Sequence, residues 1–214
     1  MSFDIDIQRR IGDREFRFSI RAEAGLTAIT GPSGVGKTSL LNMVAGLLRP
    51  ERGHIRVGGE NLFDAAQGID VPTRRRRCGY VFQDGRLFPH MRVEQNLTYG
   101  AGPGERGPGI GMGLDEVVAF LDIGHLIGRW PATLSGGEIQ RVAIGRVLLS
   151  SPSFLLMDEP LGALDTERRE EIMRVIERMR DDLALPILYV SHDRAEVERL
   201  AHCIHKIQPA KIGQ

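Results

Sequence analysis

The stretch Gly31-Pro32-Ser33-Gly34-Val35-Gly36-Lys37-Thr38 most limits the folds open to this chain. An apolar run, Leu26-Thr27-Ala28-Ile29-Thr30, leads into it. The residues Thr38-Ser39-Leu40-Leu41-Asn42-Met43-Val44-Ala45 then continue with helical texture as far as Gly46. A strand, a glycine-rich turn ending in Gly-Lys-Thr and a helix, in that order, make a phosphate-binding loop. The glycines let successive backbone N–H groups point into one concavity around the β- and γ-phosphates, and the helix start adds its positive dipole end. Lys37 supplies a full charge to the phosphates, and the Thr38 hydroxyl suits a magnesium shell. The expectation is a nucleoside-triphosphate site running from Gly31 through Ser39.

A chain of 214 residues can bury one substantial core with a subdomain inserted in it. Lys plus Arg and Asp plus Glu balance at 28 each, so no net field draws the chain to nucleic acid or acidic lipid. Cys78 and Cys203 stand far apart, outside any metal-ligand spacing, and read as idle thiols in a reducing compartment. The N-terminus lacks the basic and apolar blocks of a signal peptide, and no apolar run is long enough to cross a bilayer. A cytosolic location is expected, with any membrane role reached through a partner.

Apolar and polar residues alternate over 3–9 and 15–21, which predicts two half-buried antiparallel strands turning at Gly12-Asp13. His54-Ile55-Arg56-Val57 with Gly58-Gly59 reads as a strand and tight turn. The segment 60–76 is polar, and Arg74-Arg75-Arg76-Arg77 at its end reads as a solvated loop rather than a nucleic-acid patch. Gly79-Tyr80-Val81-Phe82 is a short strand that runs into Gln83. From 84 to about 150, prolines punctuate helical patterns at 92–98, at 114–122 and from Gly136. This stretch reads as a helical subdomain inserted in the nucleotide-binding core, with 100–113 as a flexible surface loop. Strands at 154–157 and 187–190 are apolar throughout, as strands buried on both faces are, and helices are expected at 166–182 and near 193–201. No internal repeat is visible. The whole is an α/β, phosphate-loop core with a mostly parallel sheet.

Two further constellations carry chemistry. Phe154-Leu155-Leu156-Met157-Asp158-Glu159 is an apolar strand ending in paired acids. Asp158 suits the magnesium shell, and Glu159 is placed to polarise a water for attack on the γ-phosphate. Leu134-Ser135-Gly136-Gly137-Glu138 opens a second helix with a good N-cap and exposed N–H groups, a second anion-binding helix end. Two such ends make sense if one nucleotide lies between two subunits.

Leu134-Ser135-Gly136-Gly137-Glu138 followed by Gln140-Arg141-Val142-Ala143 resembles the signature motif of ATP-binding-cassette ATPases. Gln83, Asp158-Glu159, Ala163-Leu164-Asp165 and His192 follow in that family's order, so the resemblance covers essentially the whole chain. It implies a head-to-tail homodimer formed on ATP binding, in which Ser135, Gly136, Gly137 and Glu138 serve the partner's ATP. It also implies Glu159 as general base, His192 as holder of γ-phosphate and water, and Asp165 as the D-loop residue. Gln83 would sense magnesium, alongside Thr38 and Asp158 as ligands. The turn between the first two strands departs from the family pattern. Ile11 stands where the family places an aromatic ring against adenine.

The stretch Gly79–His90, reading Gly-Tyr-Val-Phe-Gln-Asp-Gly-Arg-Leu-Phe-Pro-His, is similar to the glutamine-loop phrase of molybdate importer ATPases, and so is 61–72. That resemblance implies an ATP-hydrolysing importer subunit for molybdate or tungstate on the cytoplasmic face of a membrane. It implies ATP and magnesium as cofactors, with permease subunits and an extracytoplasmic solute-binding protein as partners and no nucleic acid. An importer ATPase for thiamine, iron or sulfate, or a soluble cassette ATPase without a permease, are the alternatives. One domain over 1–214 is expected, without the C-terminal oxyanion-binding domain of those ATPases. Phe88, Met91, Val93 and Leu97 read either as packing inside the helical stretch or as a groove for a permease helix.

Overall fold

The structure is a computed structural model that describes residues 2–23, 25–101 and 111–208. Most of the loop expected at 100–113 lies outside the described residues. Among the described residues, two five-stranded sheets organise the fold. The first is antiparallel and built from β1 (Phe3–Ile11), β2 (Arg14–Ala22), β4 (Arg52–Val57), β5 (Glu60–Asp64) and β6 (Ile69–Asp70), in the order β2-β1-β4-β5-β6. The second is parallel, with β3 (Leu26–Thr30), β7 (Cys78–Val81), β8 (Phe154–Asp158), β9 (Ile187–Val190) and β10 (Cys203–Lys206) in the order β10-β3-β9-β8-β7.

Helix α1 (Lys37–Ala45) lies between the sheets. Its Leu40, Leu41, Met43 and Val44 meet Phe3, Ile5 and Ile55 of the antiparallel sheet, and Phe154, Leu156, Leu188 and Val190 of the parallel one. The alternate residues Leu155, Met157, Ile187 and Tyr189 point to the other face. There they meet residues of α2 (Val93–Thr98), α3 (Leu114–Leu121), α4 (Gly136–Leu149), α5 (Thr166–Asp182) and α6 (Arg194–Leu200). Period-2 alternation with both faces covered explains why β8 and β9 are apolar at every position. Helices α2, α3 and α4 fall in sequence between β7 and β8, which nevertheless pair directly.

One expectation is corrected. The polar segment 60–76 forms β5, β6 and a single 3₁₀ turn at Thr73–Arg75, and the arginine run that ends it is not solvated throughout. Arg74 and Arg75 are exposed, but Arg76 is 1% exposed. Its Nη1 donates to the carbonyls of Met43 and Val44 at 2.9 Å, Nε donates to Val71 O at 2.7 Å, and Nη2 donates to Asp70 at 3.1 Å. A guanidinium in the run of four thus satisfies the last carbonyls of α1, where the dipole favours a cation. Strand β10 is likewise absent from the sequence reading, because Cys203-Ile204-His205-Lys206 is an edge strand with only partial burial.

The thiols are not equivalent. Burial pushes the Cys78 thiol up to about 12, against the pull of Arg76. Because only thiolate reacts, Cys78 should carry roughly 10³-fold less reactive species than a free cysteine at neutral pH. A native thiol titration at pH 8 should therefore label Cys203 and spare Cys78 until the chain is unfolded or the pH approaches 12. Rapid labelling of both thiols in the folded chain would contradict this.

Candidate nucleotide site

The site lies at the carboxyl ends of neighbouring parallel strands, the usual place for a ligand in such a sheet. Ile29 of β3 stands beside Val190 of β9, and Val190 beside Asp158 of β8. The segments that follow these strands, the phosphate loop, Glu159 and Ser191-His192, are therefore brought together by register alone.

In the loop, Gly31, Gly34 and Gly36 have φ of 153°, 76° and 96°. At Gly36 an added Cβ would stand 2.7 Å from the Phe16 ring, so both conformation and space demand glycine there. Gly36 begins α1 with no side-chain cap, and no acid occupies the helix's first turn. Helices α4, α5 and α6 are capped instead by Ser135, Asp165 and Asp193. The first N–H groups of α1 therefore suit an anion. Lys37 Nζ donates to the carbonyls of Gly31 and Pro32 at 2.8 and 3.0 Å, which sets its ammonium across the loop. Pro32, Ser33, Gly34 and Thr38 are exposed, Ser39 is half-buried and Val35 is buried.

The Thr38 hydroxyl stands close enough to Asp158 to act on its carboxyl. Burial raises its carboxyl above the usual range and Glu159 adds to this, while Thr38 and Lys37 oppose the rise. Glu159 holds a left-handed φ of 46°, and its N–H donates to Val190 O at 2.9 Å. A non-glycine residue in that region is strained and is held there by its surroundings. Its Oε2 lies 3.1 Å from His192 Nδ1, with His192 largely exposed. A Cβ on Gly162 would stand 3.3 Å from the Gln83 amide nitrogen and 3.7 Å from Glu159 Oε2, so Gln83 reaches the same corner.

The signature residues face elsewhere. Gly136 and Gly137 pack at the start of α5, where added Cβ atoms would meet Leu164 at 3.2 Å and Arg168 at 3.3 Å. Ser135 Oγ accepts from Glu138 N–H, and Glu138 Oε2 accepts from Ser135 N–H at 2.6 Å, closing a capping box. That backbone bond is the main reason the Glu138 carboxyl is held below its usual range. Glu138 therefore shapes the helix start, and the Ser135 hydroxyl and the first N–H groups of α4 are what the segment presents to an anion. Asp165 accepts from Arg168 N–H at 2.9 Å as the cap of α5. Among the remaining histidines, His54 pairs with Asp4 at 3.2 Å and His202 accepts from Leu26 N–H at 3.3 Å.

One residue was missed by sequence reasoning. Beside the phosphate loop lies a cavity of about 310 Å³ whose lining includes Phe16, Phe18, Val35 and Ile207. Phe16 and Phe18 stack at 6.3 Å with 14° between ring planes. The alternation that made Phe16 a core residue in β2 was the only available signal, because its approach to Gly36 is tertiary.

A family model described as ABC transporter matches residues 15–162, and the chain belongs to that family. Among curated relatives, the molybdenum import ATP-binding protein ModC of Brucella abortus (strain 2308) is 54% identical over 208 residues, 97% of this chain and 57% of that protein. ModC of Mesorhizobium japonicum is 52% identical over 215 residues, covering 99% and 57%. ModC of Rhodospirillum rubrum is 50% identical over 212 residues, covering 98% and 56%. The chain thus spans little more than half the length of these relatives. Among solved structures, cbiO1 of Clostridium perfringens, part of the ABC transporter complex cbiONQ, aligns with a TM-score of 0.78 at 26% identity, covering 97% of this chain and 84% of that one. A dimeric ATP-binding cassette in a post-hydrolysis state bound to ADP and Pi shares the fold, with a TM-score of 0.72 at 24% identity and coverage of 97% and 94%. No described helix is long and apolar enough to cross a membrane.

Proposed function

We propose that this chain is the ATP-hydrolysing subunit of an importer for molybdate, working on the cytoplasmic face of a membrane with permease subunits and a solute-binding protein. The observation that carries the chemistry is the Glu159–His192 pair at 3.1 Å, beside the group formed by Lys37, Thr38 and Asp158. In this reading the phosphate loop and α1 hold the β- and γ-phosphates, and Lys37 neutralises them. Glu159 takes the proton of the attacking water, and His192 holds water and γ-phosphate in line. Asp158 and Thr38 put a carboxylate and a hydroxyl oxygen side by side, with the Gln83 amide as a further oxygen donor. This set fits magnesium, which when bound neutralises phosphate charge. Ser135 and Gly136, both exposed, with Gly137 buried behind them at the start of α4, serve the ATP of a partner in a head-to-tail homodimer.

The helices of 84–150 act as an inserted subdomain that Gln83 links to the site. Val93 and Leu97 are 0% exposed and pack inside it. Phe88 and the 62% exposed Tyr99, with ring centroids 4.4 Å apart, offer a permease the apolar surface. Molybdate as the cargo is supported by the names of the relatives at 50–54% identity. ATPase activity in membranes containing the permease and binding protein should rise with molybdate and not with sulfate. Activity indifferent to molybdate would remove the cargo and leave the hydrolysis.

The purine lies on Phe16 in this reading, since Ile11 has no ring to offer and Phe16 borders the cavity next to Val35. Losing a base–aromatic stack costs about 1–3 kcal/mol, roughly 5- to 150-fold in Kd. Phe16→Ala should weaken ATP binding within that range, while Phe16→Trp should preserve it. An unchanged Kd in Phe16→Ala would place the base elsewhere.

A further inference from the structure

The residues on both sides of His192 are held by a buried polar cluster that the hydrolysis reading leaves unused. Glu196, 4% exposed, accepts from the Tyr189 hydroxyl at 2.8 Å and the Ser191 hydroxyl at 2.7 Å. Ser191 Oγ in turn accepts from Asp193 N–H at 3.0 Å. Burial, reinforced by Glu196, raises the Tyr189 hydroxyl far above its ordinary range, so it remains a donor. Arg169 closes the cluster, with Nη1 on Asp193 Oδ2 at 3.1 Å and Nε 3.7 Å from Glu196 Oε1. Arg169 stands in the first turn of α5, and its N–H donates to Asp165 O at 2.9 Å. A small cavity of about 40 Å³ is bordered by Arg169, Glu196 and Asp193 on one side and by Glu159 and His192 on the other.

A half-exposed arginine–carboxylate pair alone contributes little. What sets this one apart is that its second carboxylate, Glu196, is buried and committed to the residue preceding His192. Asp193, which follows His192, is held by the same guanidinium. The turn carrying the histidine is therefore tied to the start of α5 on both sides of His192.

We propose that Arg169 is a positioning residue for His192: through Asp193 and Glu196 it fastens the His192 turn to the first turn of α5, so that Asp165 and His192 move as one body. The inference rests on the reading of His192 as a hydrolytic group. A displacement of the exposed Asp165 is then felt at the histidine, and through it at Glu159.

The test uses Arg169→Met, Arg169→Lys and Glu196→Gln in the full chain. The readouts are kcat and KM for magnesium-ATP, scaled to nucleotide-binding capacity, and long-range ¹H–¹⁵N spectra of the labelled imidazoles. The resonances of His192 are assigned with His192→Gln. A misplacement of about 1 Å costs on the order of 10²-fold in rate, so Arg169→Met should lower kcat by about that factor with KM held within about threefold. The His192 Nδ1 resonance should move in Arg169→Met, and Arg169→Lys should restore most of both rate and resonance. Should Arg169→Met fail to fold, Glu196→Gln, which keeps side-chain volume, should show the same split. An unmoved His192 resonance, or a wild-type kcat in whichever variant folds, overturns the proposal. A wild-type chain that turns over no ATP counts against the proposed function instead, and the spectra still decide the positioning role.

Discussion

Glu159→Gln is expected to abolish turnover while leaving ATP bound. Glutamine keeps the size of the side chain and can still meet His192 across the 3.1 Å gap, but it cannot accept the proton of the attacking water. General-base catalysis contributes about 10²–10⁴-fold, and kcat should fall by that amount. Affinity should change little, because in the proposed function the loop N–H groups, Lys37 and Thr38 hold the phosphates and Glu159 does not. If the proposed homodimer forms, the same variant should accumulate as an ATP-bound dimer in gel filtration, since hydrolysis would release it. A variant within about tenfold of wild-type kcat would remove Glu159 as the base, the effect then being smaller than a base contributes.

The second large effect concerns folding. Arg76→Ala removes a donor from four acceptors at once, the carbonyls of Met43, Val44 and Val71 and the carboxylate of Asp70, of which Met43 O keeps the Gly46 N–H and Asp70 keeps Arg49. Removing one partner from a buried charged network costs about 3–5 kcal/mol. For a chain of this size that corresponds to a fall in Tm of roughly 6–20 °C. Because two of the acceptors end α1, ATP binding should be lost at a lower temperature than in the wild type. Arg74→Ala and Arg75→Ala, both exposed, should shift Tm by little. Equal effects from all four arginines of the run would contradict the burial of Arg76. Thermal melts with and without ATP separate the outcomes.

The contrast within 74–77 shows where sequence stops being sufficient. Four consecutive arginines look alike on paper, and charge runs are usually solvated. Which of them turns inward depends on where the end of α1 lies relative to the 3₁₀ turn at Thr73–Arg75, a matter of packing between distant segments. Phe16 is a similar case. Its alternation marks it as a strand residue facing inward, but its place beside Gly36 is fixed only when α1 docks under β2.

Local chemistry, by contrast, is written in the chain. The phosphate loop, the Ser135–Glu138 capping box, the caps at Asp165 and Asp193 and the double-faced apolar strands β8 and β9 involve neighbours in sequence. Their rules act over a few residues, and the α/β class and the roles proposed for Lys37, Asp158 and Glu159 follow from them. Two features were settled by tertiary structure alone. They are the register that sets Glu159 against His192 and the clamp of Arg169 on the His192 turn. Each depends on which side chain finds an unpaired partner once the sheet has formed, and no spacing along the chain encodes that.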